Sequence, residues 1–245
     1  MNELTSLLKR VFEALGYCQG DYEDAAHSVV WLESRTLGGL ELVTRDWQRL
    51  ARHGGALATV PSGNEDQVLD ARDSSVLTVG QSIADLAAAD LERRGRGRIE
   101  LRRCYSRLAV LASLQVFARR GAGAVAHWND GKYQHVARID AGCANPDYRR
   151  LTMKSDNNAS DATLNLVCHA QRHEVDAIVA ELSAGTAEST LDRHILPTEM
   201  DAQHRAAVQH GLAVSEELVA QLSTAAEAVL VAASEQSRLG AGEAV

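Results

Sequence analysis

No stretch of this sequence approaches the ~20 consecutive apolar residues of a membrane span. The opening Met1-Asn2-Glu3-Leu4 lacks the basic-then-apolar pattern of a secretory signal. A cytoplasmic protein with no membrane partner is therefore expected. The four cysteines, Cys18, Cys104, Cys143 and Cys168, are far apart and contain no C-x-x-C pair. That spacing argues against a zinc knuckle or a thioredoxin motif and predicts reduced packing residues. Neither a P-loop nor a G-x-S-x-G elbow occurs, and no repeat of fixed period argues for a solenoid or a propeller. Lysine is nearly missing: only Lys9, Lys132 and Lys154 among 25 basic side chains are lysines, which leaves 22 arginines. Arginine's planar fork suits carboxylate and phosphate, although a ratio this lopsided is also what a genome-wide bias produces. Basic charge is itself in deficit, 33 acidic against 25 basic residues giving −8, which argues against nucleic-acid binding through the surface as a whole.

What is present is the balance of an ordinary globular protein, 45% apolar and 24% charged over 245 residues. A chain of that length needs no disulfide to hold a core. Leu4, Leu7, Leu8, Val11, Phe12 and Leu15 recur at helical steps up to Gly16. A second helix is expected from an Asp21 N-cap to Gly38-Gly39, and a third from about Thr44 to Arg52. Residues 1–55 thus form a helical block. Residues 56–75, with Pro61-Ser62-Gly63-Asn64-Glu65, read as a linker or junction.

The remainder, residues 76–245, reads as a mixed domain. Val76–Gly80 is a short β-like run, Ile83–Leu91 helical, Arg98–Arg102 strand-like, and Leu108–Phe117 a buried helix. Alternating runs on either side of Asp130-Gly131, Ala122–Trp128 and Lys132–Ile139, predict a tight hairpin. Ala162–Cys168 alternates as a strand. Glu174–Leu182 suits strand or helix, and we lean to strand with a turn at Gly185. Helical composition returns at Met200–Gly211 and Ser215–Val231, followed by a small, polar, Gly-rich tail. The expected class is α+β, a helical N-terminal block packed on a mixed domain with an antiparallel hairpin.

Several clusters invite chemistry. Arg93, Arg94, Arg96, Arg98, Arg102 and Arg103, with Gly95 and Gly97 between, could wrap a polyanion, but Glu92 and Glu100 stand ready to pair with a solvated edge. No aromatic is interleaved there, so no base-stacking surface is indicated. Gly121-Ala122-Gly123-Ala124-Val125-Ala126 fits G-x-G-x-x-G/A, yet it closes a helix and opens a strand, the reverse of the dinucleotide order. His169 and His173 lack the Glu of the metalloprotease motif, and no metal site is expected. Asp156-Asn157-Asn158 with Ser160 and Asp161 fits no calcium loop, and turn chemistry accounts for it. His127 and His135 flank the Asp-Gly turn and are expected near one another, as a cross-strand polar pair on the solvent face or as a general base.

Two stretches carry a resemblance. Ala14-Leu15-Gly16-Tyr17, Asp24-Ala25-Ala26 and Val30-Trp31-Leu32-Glu33-Ser34-Arg35 with Gly38-Gly39 resemble the opening of an uncharacterised bacterial domain-of-unknown-function family. Ala233-Ser234-Glu235-Gln236-Ser237-Arg238 before Gly240-Ala241-Gly242 resembles that family's closing Ser-Glu-x-Ser-Arg and Gly-Ala-Gly motif. The N-terminal block also bears similarity to the malate/lactate dehydrogenase type that does not use the Rossmann fold. That type carries a Ser-His-Gly whose His is the catalytic acid/base. The corresponding stretch here, Gly38-Gly39-Leu40-Glu41-Leu42-Val43, has no His.

Two functions follow as expectations. The first is a cytoplasmic metabolic enzyme, or a subunit of one, acting on a small anionic carboxylate or phosphate. Arg238 would anchor the anion, Glu235 would be the acid/base, and Ser234, Ser237, Gly240 and Gly242 would line the ligand. Arg35 and Trp31 would form a wall. The second is a non-catalytic accessory subunit that lost the dehydrogenase His, with Leu218–Val231 against a partner chain in a homo- or hetero-oligomer. Neither reading names a reaction, and the sequence leaves the cofactor unknown.

Overall fold

The computed structural model describes residues 1–52, 56–60, 66–153, 162–184 and 190–227. Three helices open the chain: α1 (Asn2–Ala14), α2 (Gln19–Glu33) and α3 (Gly39–Leu50). α1 buries Leu7, Leu8, Val11 and Phe12 along one stripe, as its periodicity predicts. α2 begins earlier than expected, with Cys18 in the extended cap position, so Asp21 falls in the first turn, where its charge suits the helix dipole. α2 also stops at Glu33, and Gly39 opens α3 instead of closing α2. The reason is a close approach: a Cβ on Gly39 would lie 2.1 Å from the Val29 carbonyl oxygen, so only glycine lets α3 start against α2.

The middle of the chain corrects two expectations. Residues 56–75, read as a junction, contain β1 (Ala58–Val60) and β2 (Gln67–Ser75). β2 is held in place by Val68, Leu69 and Ala71, which are buried, and by pairing on both edges with β1 and β3. Val76–Gly80, read as β-like, is the start of α4 (Val76–Arg94). Ser75 caps that helix, its Oγ accepting from the Leu77 N–H at 3.2 Å. β3 (Arg96–Tyr105) follows, then a 3-10 turn at Arg107–Ala109 and two short helices, α5 (Val110–Ser113) and α6 (Gln115–Arg119), where one helix was expected.

β4 (Gly123–Asn129) and β5 (Tyr133–Ile139) form the hairpin as predicted, with Gly131 at φ 95° in the turn. β6 (Asp147–Thr152), β7 (Leu164–His169), α7 (Arg172–Ala184), β8 (Thr190–Ile195), α8 (Pro197–His210) and α9 (Glu216–Ala226) complete the described elements. α7 overturns the strand reading of Glu174–Leu182. Val175, Ile178, Val179 and Leu182 recur at three- and four-residue steps and pack together on Val125, Val136 and Leu151.

Among the described residues eight strands form one sheet in the order β1-β2-β3-β7-β4-β5-β6-β8. Of these described strands only β2 and β3 run parallel, and α4 is their crossover. The approach of α4 to β3 is tight: a Cβ on Gly97 would meet the Ala87 carbonyl oxygen at 2.2 Å. One apolar cluster joins α1–α3, α4, the sheet and α9, while α7 covers part of the opposite face. The architecture is α+β, with a helical N-terminal block on a mixed sheet. Among the described residues no helix is long and apolar enough to cross a membrane.

Candidate functional site

Strand alternation and register bring the site together. Trp128 on β4 pairs with His135 on β5, which pairs with Arg150 on β6, so these side chains share one face of the sheet, and Tyr148 joins them two residues before Arg150. α3 and the residues after β3 face them. Between lies a cleft of about 450 Å³ lined by Gly38, Glu41, Arg45, Asp46 and Arg49 of α3, by Ser106 and Arg107, by Trp128, Asp130, His135, Tyr148 and Arg150, and by Arg193 of β8.

At its floor the His135 ring stacks on Trp128, centroids 4.6 Å apart and planes 7° from parallel. His135 Nε2 lies 2.9 Å from Asp130 Oδ2, and Nδ1 lies 2.8 Å from the Tyr148 hydroxyl. A carboxylate only accepts, so Nε2 carries the hydrogen and Nδ1 accepts from Tyr148. Burial holds His135 below the ordinary imidazole range in spite of Asp130. Burial also opposes the Asp130 charge, but hydrogen bonds from His135 and from the Tyr133 and Lys132 backbone N–H groups outweigh it and keep the carboxyl below its ordinary range. Both shifts describe one state, ionised Asp130 with neutral His135. Burial raises the Tyr148 phenol well above its ordinary value, so it acts as a hydrogen-bond donor at neutral pH.

Charge is arranged around that floor. Among the described residues the cleft holds five arginines, Arg45, Arg49, Arg107, Arg150 and Arg193, against three carboxylates, Glu41, Asp46 and Asp130. Arg150 pairs with Asp192 at 2.6 Å and lies over the Tyr133 ring at 4.5 Å, and Arg49 covers Tyr105 at 3.8 Å. Asp46 accepts from Ser106 Oγ at 2.6 Å and from Arg45 at 2.7 Å. Burial disfavours the Asp46 charge, yet those two bonds prevail and lower its pKa. Ser106, at φ 52°, is thereby held in a left-handed conformation at the cleft wall.

Of the residues singled out from sequence, His135 lies in the cleft. Ser234, Glu235, Ser237, Arg238, Gly240 and Gly242 lie outside the described residues, as do Asp156–Asp161. Arg35 is buried, its Nε donating to Asn145 Oδ1 at 2.7 Å and its guanidinium 4.1 Å from the Trp31 ring. The arginine cluster is largely paired: Arg93 with Asp90, Arg98 with Asp66, Arg102 with Glu100 and Arg103 with Asp70. His169 ends β7 and His173 sits in α7, and among the described residues no group of three metal-ligating side chains forms. His127 and His135 are not neighbours. His127 pairs with Val136 and faces the opposite side of the sheet, while His135 is buried, so the solvent-face pair is corrected. The signal for His135 is the hairpin register itself, which sets it across from Trp128.

A dinucleotide pyrophosphate has no cradle in the glycine pair Gly121-Gly123. α6 precedes it and β4 follows it, and a Cβ on Gly123 would already touch Val175 Cγ2 at 3.0 Å, so α7 fills that space. The pair does not fit a dinucleotide.

A family model described as "Protein of unknown function (DUF3726)" matches residues 1–66. No curated protein matches the sequence. Solved structures do match the fold. A malate dehydrogenase from Pyrococcus horikoshii OT3 aligns with TM-score 0.66 at 11% identity over 92% of this chain and 93% of its own. A dehydrogenase from Sinorhizobium meliloti aligns with TM-score 0.67 at 13% identity over 92% and 98%. The sulfolactate dehydrogenase from Methanocaldococcus jannaschii gives TM-score 0.65 at 11% identity over 91% and 95%. The opening helices and the sheet of this chain thus share the fold of these malate and sulfolactate dehydrogenases, and its first 66 residues match the DUF3726 family model.

Proposed function

We propose that the chain is a metabolic enzyme, or a subunit of one, that binds a small anionic molecule, carboxylate or phosphate, in the cleft between α3 and β4–β6. The observation that carries this reading is the excess of arginine there, five against three carboxylates among the described residues, in a chain of net charge −8. Guanidinium forks match paired anion oxygens, and the neutral His135–Tyr148 pair offers an uncharged hydrogen bond beside them. Neighbours in fold are named for malate and sulfolactate, which favours a carboxylate. The tail residues, Arg238 as anion anchor and Glu235 as acid/base, are a separate proposal.

The test is thermal shift of the full chain against malate, oxalate, inorganic phosphate, NAD(H) and NADP(H). A ligand at 100 times its dissociation constant adds about 2.7 kcal/mol of apparent stability. Stabilisation by a carboxylate that Arg150→Ala abolishes supports the cleft, and loss on Arg238→Ala instead assigns the anion to the tail. Silence with every anion removes the reading. A response to NAD(H) or NADP(H) adds nicotinamide chemistry to it.

The second reading, a non-catalytic accessory subunit, is favoured by one observation. Gly38 lines the cleft in the stretch that lacks the dehydrogenase type's His. A stable partner recovered with the chain from its native host would favour this reading, and a solitary homo-oligomer would count against it.

A further inference from the structure

We infer that Tyr148, His135 and Asp130 couple anion binding in this cleft to the uptake of one proton, Tyr148 turning its hydroxyl hydrogen from His135 to the bound anion. This rests on the anion-binding reading above. In the free protein every polar atom of the His135 ring is engaged: Nε2–H donates to Asp130 and Nδ1 accepts from Tyr148. The Tyr148 hydrogen is therefore committed inward, and an anion beside it meets only lone pairs. Releasing that hydrogen leaves Nδ1 without a donor in a buried ring, which is costly unless Nδ1 itself gains a proton. A proton from solvent on Nδ1 solves both problems. Nδ1–H then donates to the Tyr148 oxygen, and the Tyr148 O–H donates to the anion. The only bond formed is N–H, and Asp130 stays a carboxylate.

The surroundings set the direction of the coupling. His135 is faced by Asp130 from the β4–β5 turn, by the Trp128 ring from β4, by Tyr133 at its edge on β5, by Tyr148 and Arg150 from β6, and by the charge of Arg107. The Arg150 and Arg107 charges oppose protonation of the ring, and an anion held among the arginines offsets them. Asp130 cannot swing away as the ring charges, because its other oxygen accepts from the Lys132 and Tyr133 backbone N–H groups at 3.1 and 2.7 Å. Anion and proton thus each favour the other, and by linkage affinity rises as pH falls.

Calorimetric titration of the full chain with oxalate, and with sulfate to separate carboxylate from other oxyanions, is run in buffers of different ionisation enthalpy between about pH 5 and 8. About one proton is taken up per oxalate bound near neutrality, and affinity rises by up to about tenfold per unit fall in pH. His135→Gln binds oxalate with no proton uptake, and Tyr148→Phe binds about tenfold more weakly with most of the pH dependence gone. Should either variant fail to fold, the His135 ring-proton titration by NMR in the intact chain decides, its midpoint moving up when oxalate is added. Oxalate binding without proton uptake, or with an unmoved His135 midpoint, overturns the coupling and leaves the anion site standing. Absence of binding by both anions overturns the anion site and the coupling with it.

Discussion

Arg35 and Asn145 meet across 110 residues of sequence, the guanidinium Nε donating to the amide Oδ1 at 2.7 Å. Asn145 in turn donates to Asp201 at 2.5 Å, and His204 approaches Ser34 Oγ at 3.2 Å, so α8 is tied to the end of α2 through a half-buried chain of hydrogen bonds that Arg35 links to Ser34. Burial lowers the Arg35 pKa to about 10, which still leaves it charged at neutral pH. Lysine has no Nε fork and cannot lie flat on Trp31. Arg35→Lys is therefore expected to cost about 1.5–3 kcal/mol in urea unfolding and to speed amide exchange in α8 more than in α1.

Two glycines of the helical block predict opposite outcomes. Gly39→Ala drives a methyl into the Val29 main chain and is expected to cost at least about 1–3 kcal/mol. Gly20, inside α2, has open space where a Cβ would stand, with no atom within 4 Å, so Gly20→Ala is expected to be neutral or to stabilise by up to about 1 kcal/mol. Paired denaturation curves check both, and equal destabilisation would refute the close crossing of α2 and α3.

The sign of the pH dependence follows from His135. Its folded pKa lies below the unfolded value near 6.5, so the unfolded chain binds the extra proton first. The contribution of neutral His135 is complete above about pH 6.5 and is lost as pH falls through the folded pKa. His204, also lowered mainly by burial, acts in the same direction. Melting temperature is expected to fall between about pH 7 and 5.5, less steeply in His135→Gln, and oxalate is expected to flatten the wild-type curve. A His135→Gln slope equal to wild type would show that the ring does not titrate on unfolding.

Asp46 reads out the cleft wall. Asp46→Ala strands the Ser106 hydroxyl and releases Arg45, at an expected cost of about 1–3 kcal/mol. Asp46→Asn keeps an acceptor for Ser106 and is expected to recover roughly half of that loss. The comparison is made by thermal unfolding at neutral pH.

The parts of the fold legible in the sequence are those set by local periodicity. The Leu7, Leu8, Val11 and Phe12 stripe announces α1, and the alternating runs around Asp130-Gly131 announce the β4–β5 hairpin. What escapes is set by distant partners. β2 is polar enough to read as a junction, and it becomes a strand because β1 and β3 pair with it. α7 has the composition of a strand, and only the apolar face of Val125, Val136 and Leu151 beneath it selects the helical spacing of Val175, Ile178, Val179 and Leu182. His135 stands out in the sequence, yet its partners do not. Asp130 looks like turn chemistry, and nothing local links either residue to Tyr148 on β6.

The order of strands has a consequence for how the chain can be divided. The stretch matched by the family model, residues 1–66, brings Arg45 and Arg49 but none of the imidazole, phenol or remaining guanidinium groups, which arrive from positions 105 to 193. The cleft is therefore a property of the closed circuit of chain and not of its most recognisable segment. Any truncation that ends before β8 removes Arg193 and also uncovers the edge of β6, trading a walled cleft for an unpaired strand open to association with other chains.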